Sequence, residues 1–217
     1  MVGHIRHGKG GIMRVFVACE ESQVVCIAFR KRGHEAFSCD IIPCSGGHPE
    51  WHIQDNCLNH LNDGWDLMIA HPPCTYLSNA GARFLYPKGI LNEERLREGL
   101  KAKMFFMELY GMNIPKIAIE NPVPSRVFGL PIYDQIIQPY YFGDMVQKKT
   151  CLWLKNLPKL EATNIVEPEW KVFKSGKRMS MEHYNTSKLD PDDRWKARSI
   201  TPLGIAIEMA EQWGNSD

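Results

Sequence analysis

The stretch WDLMIAHPPCTYLSNAG, residues 65–81, decides the fold. Its first six residues form an apolar run too brief for a helix, and Pro72-Pro73 ends it, so residues 65–70 read as a buried strand. Two prolines stiffen the backbone and hold the next residue, Cys74, at a set angle. The polar loop that follows contains Gly81. Working outward, RVFVAC (14–19) is a β-branched run of the same kind, and HEAFSCDII (34–42) and KIAIEN (116–121) give two more strands. Between the first two, Ser22 is placed to cap a helix over 23–32, with Gly33 as its stop. CSGGHPEWH (44–52) reads as a loop broken by glycines and Pro49. A long helical pattern fills 92–112, with acidic residues in its first turn. Strands alternating with helices in this order predict a mostly parallel α/β sheet.

The second half is different. Residues 136–144 and 150–155 read as neighbouring strands of a hairpin, and 156–198 as irregular chain rich in Lys, Arg and Trp. TPLGIAIEMAEQW (201–213) predicts a closing amphipathic helix, with Thr201 as N-cap and Pro202 in its first turn. The length of 217 residues suits one domain, here 13–217. Residues 1–12, rich in Gly and His and without amphipathic period, are expected to be a disordered extension ahead of Met13. No apolar run approaches the roughly 18 residues that span a membrane, and the basic N-terminus lacks the apolar core of a signal peptide. A cytoplasmic protein, monomeric or weakly dimeric, is expected. Seven scattered cysteines with no CxxC pair read as free thiols. The net charge of +1 names no partner.

Open parallel sheets bind ligands beyond the carboxyl ends of their strands. Those ends carry Glu20, Glu21 and Ser22, then Asp40, then His71-Pro72-Pro73-Cys74, then Glu120-Asn121-Pro122. An acidic residue ending the second strand is positioned for a ribose diol. A cysteine at a strand end before a mobile loop suits a nucleophile, although a lone cysteine is more often a plain buried thiol. His71 either takes part in proton transfer or caps the strand end, and both readings stay open. Cys44, His48, His52 and Cys57 have no standard zinc-finger spacing, so a metal-free loop is expected there.

PCTYLSNAG (73–81) resembles the P-C-x-x-x-S-x-A-G pattern of the C5-cytosine DNA methyltransferases without a gap. IENP (119–122) is similar to that family's E-N-V segment, QKKTCLWL (147–154) to its Q-x-R-x-R strand, and RSITPLGIAIEMAEQW (198–213) to its last motif, all in the family's order. The resemblance is nearest to small phage-type members, which share the ACEESQ, CSGGHPEWHI, HPPCTYL and TCLWLKNLP segments. It covers most of 14–213 and implies a Rossmann-like class I fold, S-adenosyl-L-methionine as cofactor and DNA as partner. It implies Cys74 as the nucleophile adding to C6 of cytosine, Glu120 as the group at the N3 edge of the base, and Asn121 as an orienting residue. Asp40 would contact the ribose and Asp55 the adenine, and Cys19, Glu20, Glu21, Ser22, Ile41 and Pro72 complete the implied cofactor site.

Three departures qualify the resemblance. The family's glycine-rich cofactor loop is VACEESQVV (17–25), with no glycine, so side chains at 20–22 must do what backbone approach does elsewhere. In the Q-x-R-x-R strand Lys149 and Cys151 replace the two arginines, and losing a bidentate arginine is not conservative. Lys148, Lys149 and Arg83 are the candidate cations beside Glu120, with Lys149 at the motif position. Finally, the recognition region is reduced to 156–198. Residues 148–198 hold twelve basic against seven acidic side chains, interleaved with Trp170, Phe173, Tyr184 and Trp195. That mixture suits phosphate contacts and base stacking, or a solvated loop packed by a few aromatics. The functional readings are therefore methylation of cytosine in DNA, methylation of a free pyrimidine nucleotide, or a catalytically weak nucleic-acid or nucleotide binder that keeps the fold.

Overall fold

The computed structural model describes residues 11–215. The expected N-terminal extension therefore lies outside the described residues except for Gly11 and Ile12, which precede the first strand without regular structure. Seven strands form one sheet: β1 (Arg14–Ala18), β2 (Glu35–Asp40), β3 (His52–Gln54), β4 (Leu67–Ala70), β5 (Lys116–Pro122), β6 (Gln135–Ile137) and β7 (Thr150–Lys155). Their order is β3-β2-β1-β4-β5-β7-β6. The first five are parallel, and β7 runs antiparallel to both β5 and β6. This is the Rossmann-like class I methyltransferase architecture that the sequence predicts.

Side chains alternate across a strand, so each central strand feeds two cores. Val15, Val17, Leu67 and Ile69 face α1 (Val24–Lys31) and the C-terminal helix, where Phe29, Met209 and Trp213 close the layer. Phe16, Met68, Ile117 and Ile119 face the opposite way, onto Phe106 and Leu109 of the long helix 93–110 and onto Trp153 of β7. A buried indole needs an acceptor. Trp213 donates to the Pro158 carbonyl at 3.0 Å and Trp153 to that of Pro131 at 2.8 Å, so each fixes a loop as it fills a core.

The helices after α1 are α2 (Asn79–Ala82), α3 (Glu93–Tyr110), α4 (Met181–Thr186), α5 (Pro191–Ser199) and α6 (Leu203–Gly214). Several differ from the sequence expectation for identifiable reasons. Ser22 does not cap α1. Gln23 occupies the N-cap with φ 61°, and the Glu20 carboxylate accepts from the Val25 and Cys26 N–H groups at 2.7 and 3.2 Å. A carboxylate satisfies two orphan donors at once and meets the positive end of the helix dipole. Thr201 does not cap α6 either. Pro202 is the N-cap residue, and Asp144 Oδ2 accepts from Gly204 N at 2.8 Å. The hairpin of β6 and β7 is present, but β6 ends at Ile137 because Pro139 begins a 3₁₀ turn and has no N–H for a ladder. The loop read over 44–52 ends in the edge strand β3. Residues 156–198 are not irregular throughout: they form the hairpin of β8 (Trp170–Val172) and β9 (Arg178–Ser180), followed by α4 and α5.

Gly204 is required where α6 meets residues 142–144. A Cβ there would lie 2.2 Å from the Phe142 carbonyl oxygen and 2.8 Å from Asp144 Oδ2. Backbone cannot yield as a flexible side-chain end can. Gly204→Ala is therefore expected to destabilise the fold by about 1–3 kcal/mol, read as a lower denaturant midpoint with an unchanged m-value. A midpoint equal to the wild type would show that α6 does not seat as described.

Candidate active site

The parallel pairing of β4 with β5 sets Ala70 against Ile119, so the residues just beyond, His71 and Glu120, lie side by side. His71 Nδ1 is 3.1 Å from Glu120 Oε2. The His71 N–H donates to the Ala18 carbonyl at 2.9 Å, which ties this turn to β1 as well. Asn121, 1% exposed, donates from Nδ2 to the Pro72 carbonyl at 2.7 Å. That bond clamps the Pro-Pro turn to β5 and orients Cys74, which is half-buried. The motif residues after it have local jobs. Ser78 caps α2 by accepting from Gly81 N at 3.3 Å, and a Cβ on Gly81 would lie 2.6 Å from the Thr75 carbonyl oxygen. Serine and glycine at these positions fold the loop back behind the cysteine.

Burial pushes the Cys74 thiol up, the Glu120 charge pushes it further, and the Lys148 charge opposes both, leaving it above the ordinary thiol value. Burial would raise the Glu120 carboxyl too. The hydrogen bond and charge of His71, the Lys148 charge and a Thr150 hydrogen bond outweigh that, and hold it below the usual glutamate value. The cation acting on this pair is thus Lys148, not Lys149. Lys148 is half-buried and anchored by its Nζ to the Arg198 carbonyl at 2.8 Å, whereas Lys149 is exposed. Arg83 stacks on Phe84, 4.7 Å from the ring centre. Cys151 is fully buried, and its thiol is pushed up to about 11.

Two clefts of about 410 and 440 Å³ meet here, sharing Cys19, Asp40 and Pro73. The first holds Cys74, His71, Glu20, Glu21 and Ser22. The second holds Ile41, Asp55, Asn56 and Phe105. Most residues read from sequence as the cofactor edge therefore come together, with two differences. Pro73, not the buried Pro72, lines the clefts. Glu20 is committed to capping α1. Asp40, raised mainly by burial, accepts from Ile42 N at 3.2 Å. Asp55 accepts from Asn56 N, Asn59 Nδ2 and His60 Nε2 at 2.7, 3.1 and 3.1 Å, and these bonds hold it below the usual aspartate value.

The glycine-free loop still adopts left-handed backbone, at Cys19 (φ 59°) and Gln23 (φ 61°). Such conformations cost a side-chain-bearing residue roughly 1–2 kcal/mol. At Gln23 a two-point amide clamp offsets this: Nε2 donates to the His48 carbonyl at 2.8 Å, and Oε1 accepts from His48 N at 3.1 Å. The four residues weighed as a zinc set point apart. His52 bonds to Ser38 Oγ and the Ile42 carbonyl, His48 stacks on Trp51, and Cys57 Sγ lies 3.8 Å from Cys19 Sγ. Among the described residues no three metal-ligating side chains converge.

The aromatics of the reduced segment are mostly covered from within. Arg178 sits over Trp170 at 4.5 Å, Lys171 and Lys188 over Tyr184 at 5.1 and 4.0 Å, and Phe173 packs edge-on against Tyr184. Trp195 differs: it is 48% exposed and, with Arg194 and Arg198 of α5, lines the first cleft. Trp195 and Arg198 were legible only as members of a basic, aromatic segment; their place at the cleft was not, because α5 was not.

No protein-family model matches the chain, and no curated protein matches it. Among solved structures it is similar to a prophage-encoded Escherichia coli protein described as a DNA modification methyltransferase (11% identity, TM-score 0.41, 71% of this chain and 52% of that one). It is also similar to the Entamoeba histolytica methyltransferase EhMeth (13%, TM-score 0.47, 72% and 58%) and to the S. pombe Dnmt2 methyltransferase (13%, TM-score 0.41, 84% and 61%). The chain spans between about half and three fifths of the length of these structures.

The electrostatics of the cleft predict thiol reactivity. Glu120→Gln removes a charge that disfavours the Cys74 thiolate, so alkylation of Cys74 by iodoacetamide at pH 8 should quicken several-fold. Lys148→Met removes the opposing charge and should slow it. Peptide mass spectrometry resolves Cys74 from the other cysteines. Equal rates in all three proteins would contradict the placement of these charges.

Proposed function

We propose that this protein is an S-adenosyl-L-methionine-dependent methyltransferase acting on C5 of cytosine in DNA, with Cys74 as nucleophile and Glu120 as the acid at N3. The observation that carries this reading is a strand-end cysteine lining a cleft that opens into a second, with a buried strand-end carboxylate whose charge acts on it and which is bonded to His71 of the same cleft. The second cleft fits the cofactor by its donor set. Asp40 offers a carboxylate to a ribose diol, Ile41 and Phe105 offer apolar flanks to a purine, and Asn56 and the Asp55 segment offer polar edges. Glu21 and Ser22, in the first cleft, suit the amino-acid end. When bound, the cofactor supplies an electrophilic methyl group carried on a sulfonium.

C5 of cytosine is a poor nucleophile until the ring is activated. Cys74 loses its proton and its sulfur bonds to C6. The electron pair of the C5–C6 double bond then moves toward the ring nitrogen, where a proton shared by Glu120 at N3 stabilises it and leaves C5 enamine-like. Loss of the C5 proton after methylation re-forms the double bond and expels the thiolate. Asn121 keeps the Pro-Pro turn in place throughout, through its bond to the Pro72 carbonyl. Lys148 favours both the thiolate and the carboxylate. A base in duplex DNA must leave the stack to reach such a cleft.

A second reading, a free pyrimidine nucleotide as substrate, is favoured by one observation: three of the four aromatics of the reduced segment are occupied by neighbouring side chains. Tritiated cofactor offered with duplex DNA, single-stranded DNA and dCMP separates the two. Label in DNA is expected, and label in dCMP alone would transfer the reading to the nucleotide. Cys74→Ala should abolish transfer while fold and cofactor binding persist. DNA containing 5-fluorocytosine should trap a covalent complex at Cys74, because fluorine blocks the final elimination. Transfer by Cys74→Ala at the normal rate, or an adduct on another cysteine, would refute the mechanism.

The cofactor assignment has its own check. Asp40→Ala should weaken S-adenosyl-L-methionine binding by about 1.5–3 kcal/mol, the contribution of a hydrogen bond to a charged group. Unchanged affinity by calorimetry would move the ribose elsewhere.

A further inference from the structure

Glu120 has an acid's position but no cation on the strand beside it. Its cross-strand partner on β7 is Leu152, flanked by the buried Cys151 and Trp153. Lys155, at the end of the same strand, is spent on the Met112 carbonyl. The group in contact with the carboxylate comes instead from β4's end: His71, with its side chain 8% exposed and Nδ1 3.1 Å from Glu120 Oε2. His71 Nε2 is buried and has no hydrogen-bond partner among the described residues, while the ring borders the first cleft. A buried polar atom with an unmet bond is rare in folded proteins, and this one belongs to a ring at the edge of the cleft.

We infer that His71 is the positioning residue of Glu120, supplying from the end of β4 the hydrogen-bonded partner and the transferable proton, while Lys148 acts on the carboxylate by its charge alone. The inference rests on the reading of Glu120 as the acid at N3. An imidazolium hydrogen-bonded to a carboxylate holds one mobile proton between them. As negative charge develops on a bound pyrimidine, that proton leaves His71 Nδ1 and, by way of the Glu120 carboxyl group, bonds to N3. The imidazole is left neutral and Glu120 ionised. When the ring recovers its double bond, the proton returns by the same route. No solvent proton is needed.

Charged groups face His71 from several elements. Glu20 and Glu21 approach from the loop after β1, Glu120 from β5, Lys148 from the segment ahead of β7, and Cys74 from its own turn. Arg194 and Arg198 of α5 border the same cleft, but Arg194 is bound to the Ser187 and Leu189 carbonyls and Arg198 to Thr186 Oγ1. Burial pushes the Glu20 carboxyl up, while the His71 charge and the two N–H groups of α1 that it caps oppose this. Paired with a cation, Glu120 also repels the Cys74 thiolate less.

The test uses the full chain. His71→Asn keeps a donor near the Nδ1 position but holds no transferable proton. It should bind S-adenosyl-L-methionine as the wild type does, and lower kcat on the order of 100-fold with little change in KM for DNA. His71→Gly should be equally slow and be rescued by added imidazole, but not by pyrrole, which fills the same space without a basic nitrogen. A normal kcat in His71→Asn, or equal rescue by pyrrole, would overturn the inference in favour of a space-filling role. If the wild-type protein transfers methyl to no pyrimidine substrate, the functional reading fails by itself. Nuclear magnetic resonance of the resting protein then decides this one. An imidazole Nδ1–H resonance protected from solvent, present in the wild type and lost in Glu120→Ala, supports the pairing, and its absence from the wild type overturns it.

Discussion

The candidate site depends on one register, that of β4 against β5. Ala70 opposite Ile119 brings His71 beside Glu120, and one residue further on Asn121 reaches the Pro72 carbonyl. A parallel pair cannot slip by one residue without turning every side chain to the other face. Here both faces are buried, by Leu67 and Ile69 on one side and by Met68 and Ile117 on the other. The hydrophobic cores therefore determine which polar residues meet at the strand ends. Chemistry at the carboxyl edge is positioned by packing along the whole length of two strands, which rigidly fixes groups that would otherwise repel or drift.

The loop after β1 shows the same economy in another form. A glycine-rich loop would let the backbone itself approach a ligand. In its place, two non-glycine residues hold left-handed conformations, and side chains take over the hydrogen bonding. Glu20 completes the helix end, Gln23 fastens the loop at His48, and Gly46 is tolerated only as glycine because a Cβ would lie 2.6 Å from both Gln23 Cβ and the Ser22 carbonyl oxygen. The glycine missing from one loop is thus found in the loop packed against it. With Glu20 so engaged, the carboxylates left to face a ligand are Glu21 and Asp40.

The central strands were legible because they are short, continuous apolar runs, the signal a doubly covered parallel strand leaves in sequence. The strand-end residues followed directly, which is why Cys74, Glu120, Asn121 and Asp40 could be placed at the carboxyl edge of the sheet. What stayed hidden was held by contacts distant in sequence. Asp144 caps α6 across 60 residues, and no local pattern at Thr201-Pro202 reveals it. β3 is three residues on a sheet edge, and α4 and α5 are short and polar, so none has a period to read. The choice between Lys148 and Lys149 turned on where β7 begins. Thr150 pairs with Pro122, and the lysine whose charge acts on Cys74 and Glu120 is the one whose Nζ is drawn to the Arg198 carbonyl. Motif position alone pointed to its neighbour.

The reduced segment is built inward. A recognition surface presents aromatic faces and cations outward, yet Trp170 and Tyr184 carry their own arginine and lysines, and Arg194 and Arg198 satisfy carbonyl and hydroxyl groups of the α4 region. These contacts do for a hairpin and two short helices what a core does for a larger domain, since so small a unit buries little apolar surface. Cations used in this way keep their charge, so the segment stays electropositive while its geometry is fixed. Trp195 is the exception, half-exposed at the cleft, on a helix whose last turn is joined to the candidate site through Lys148. A segment tied to the site at that point moves with it. Its place in the molecule is therefore that of a wall of the first cleft.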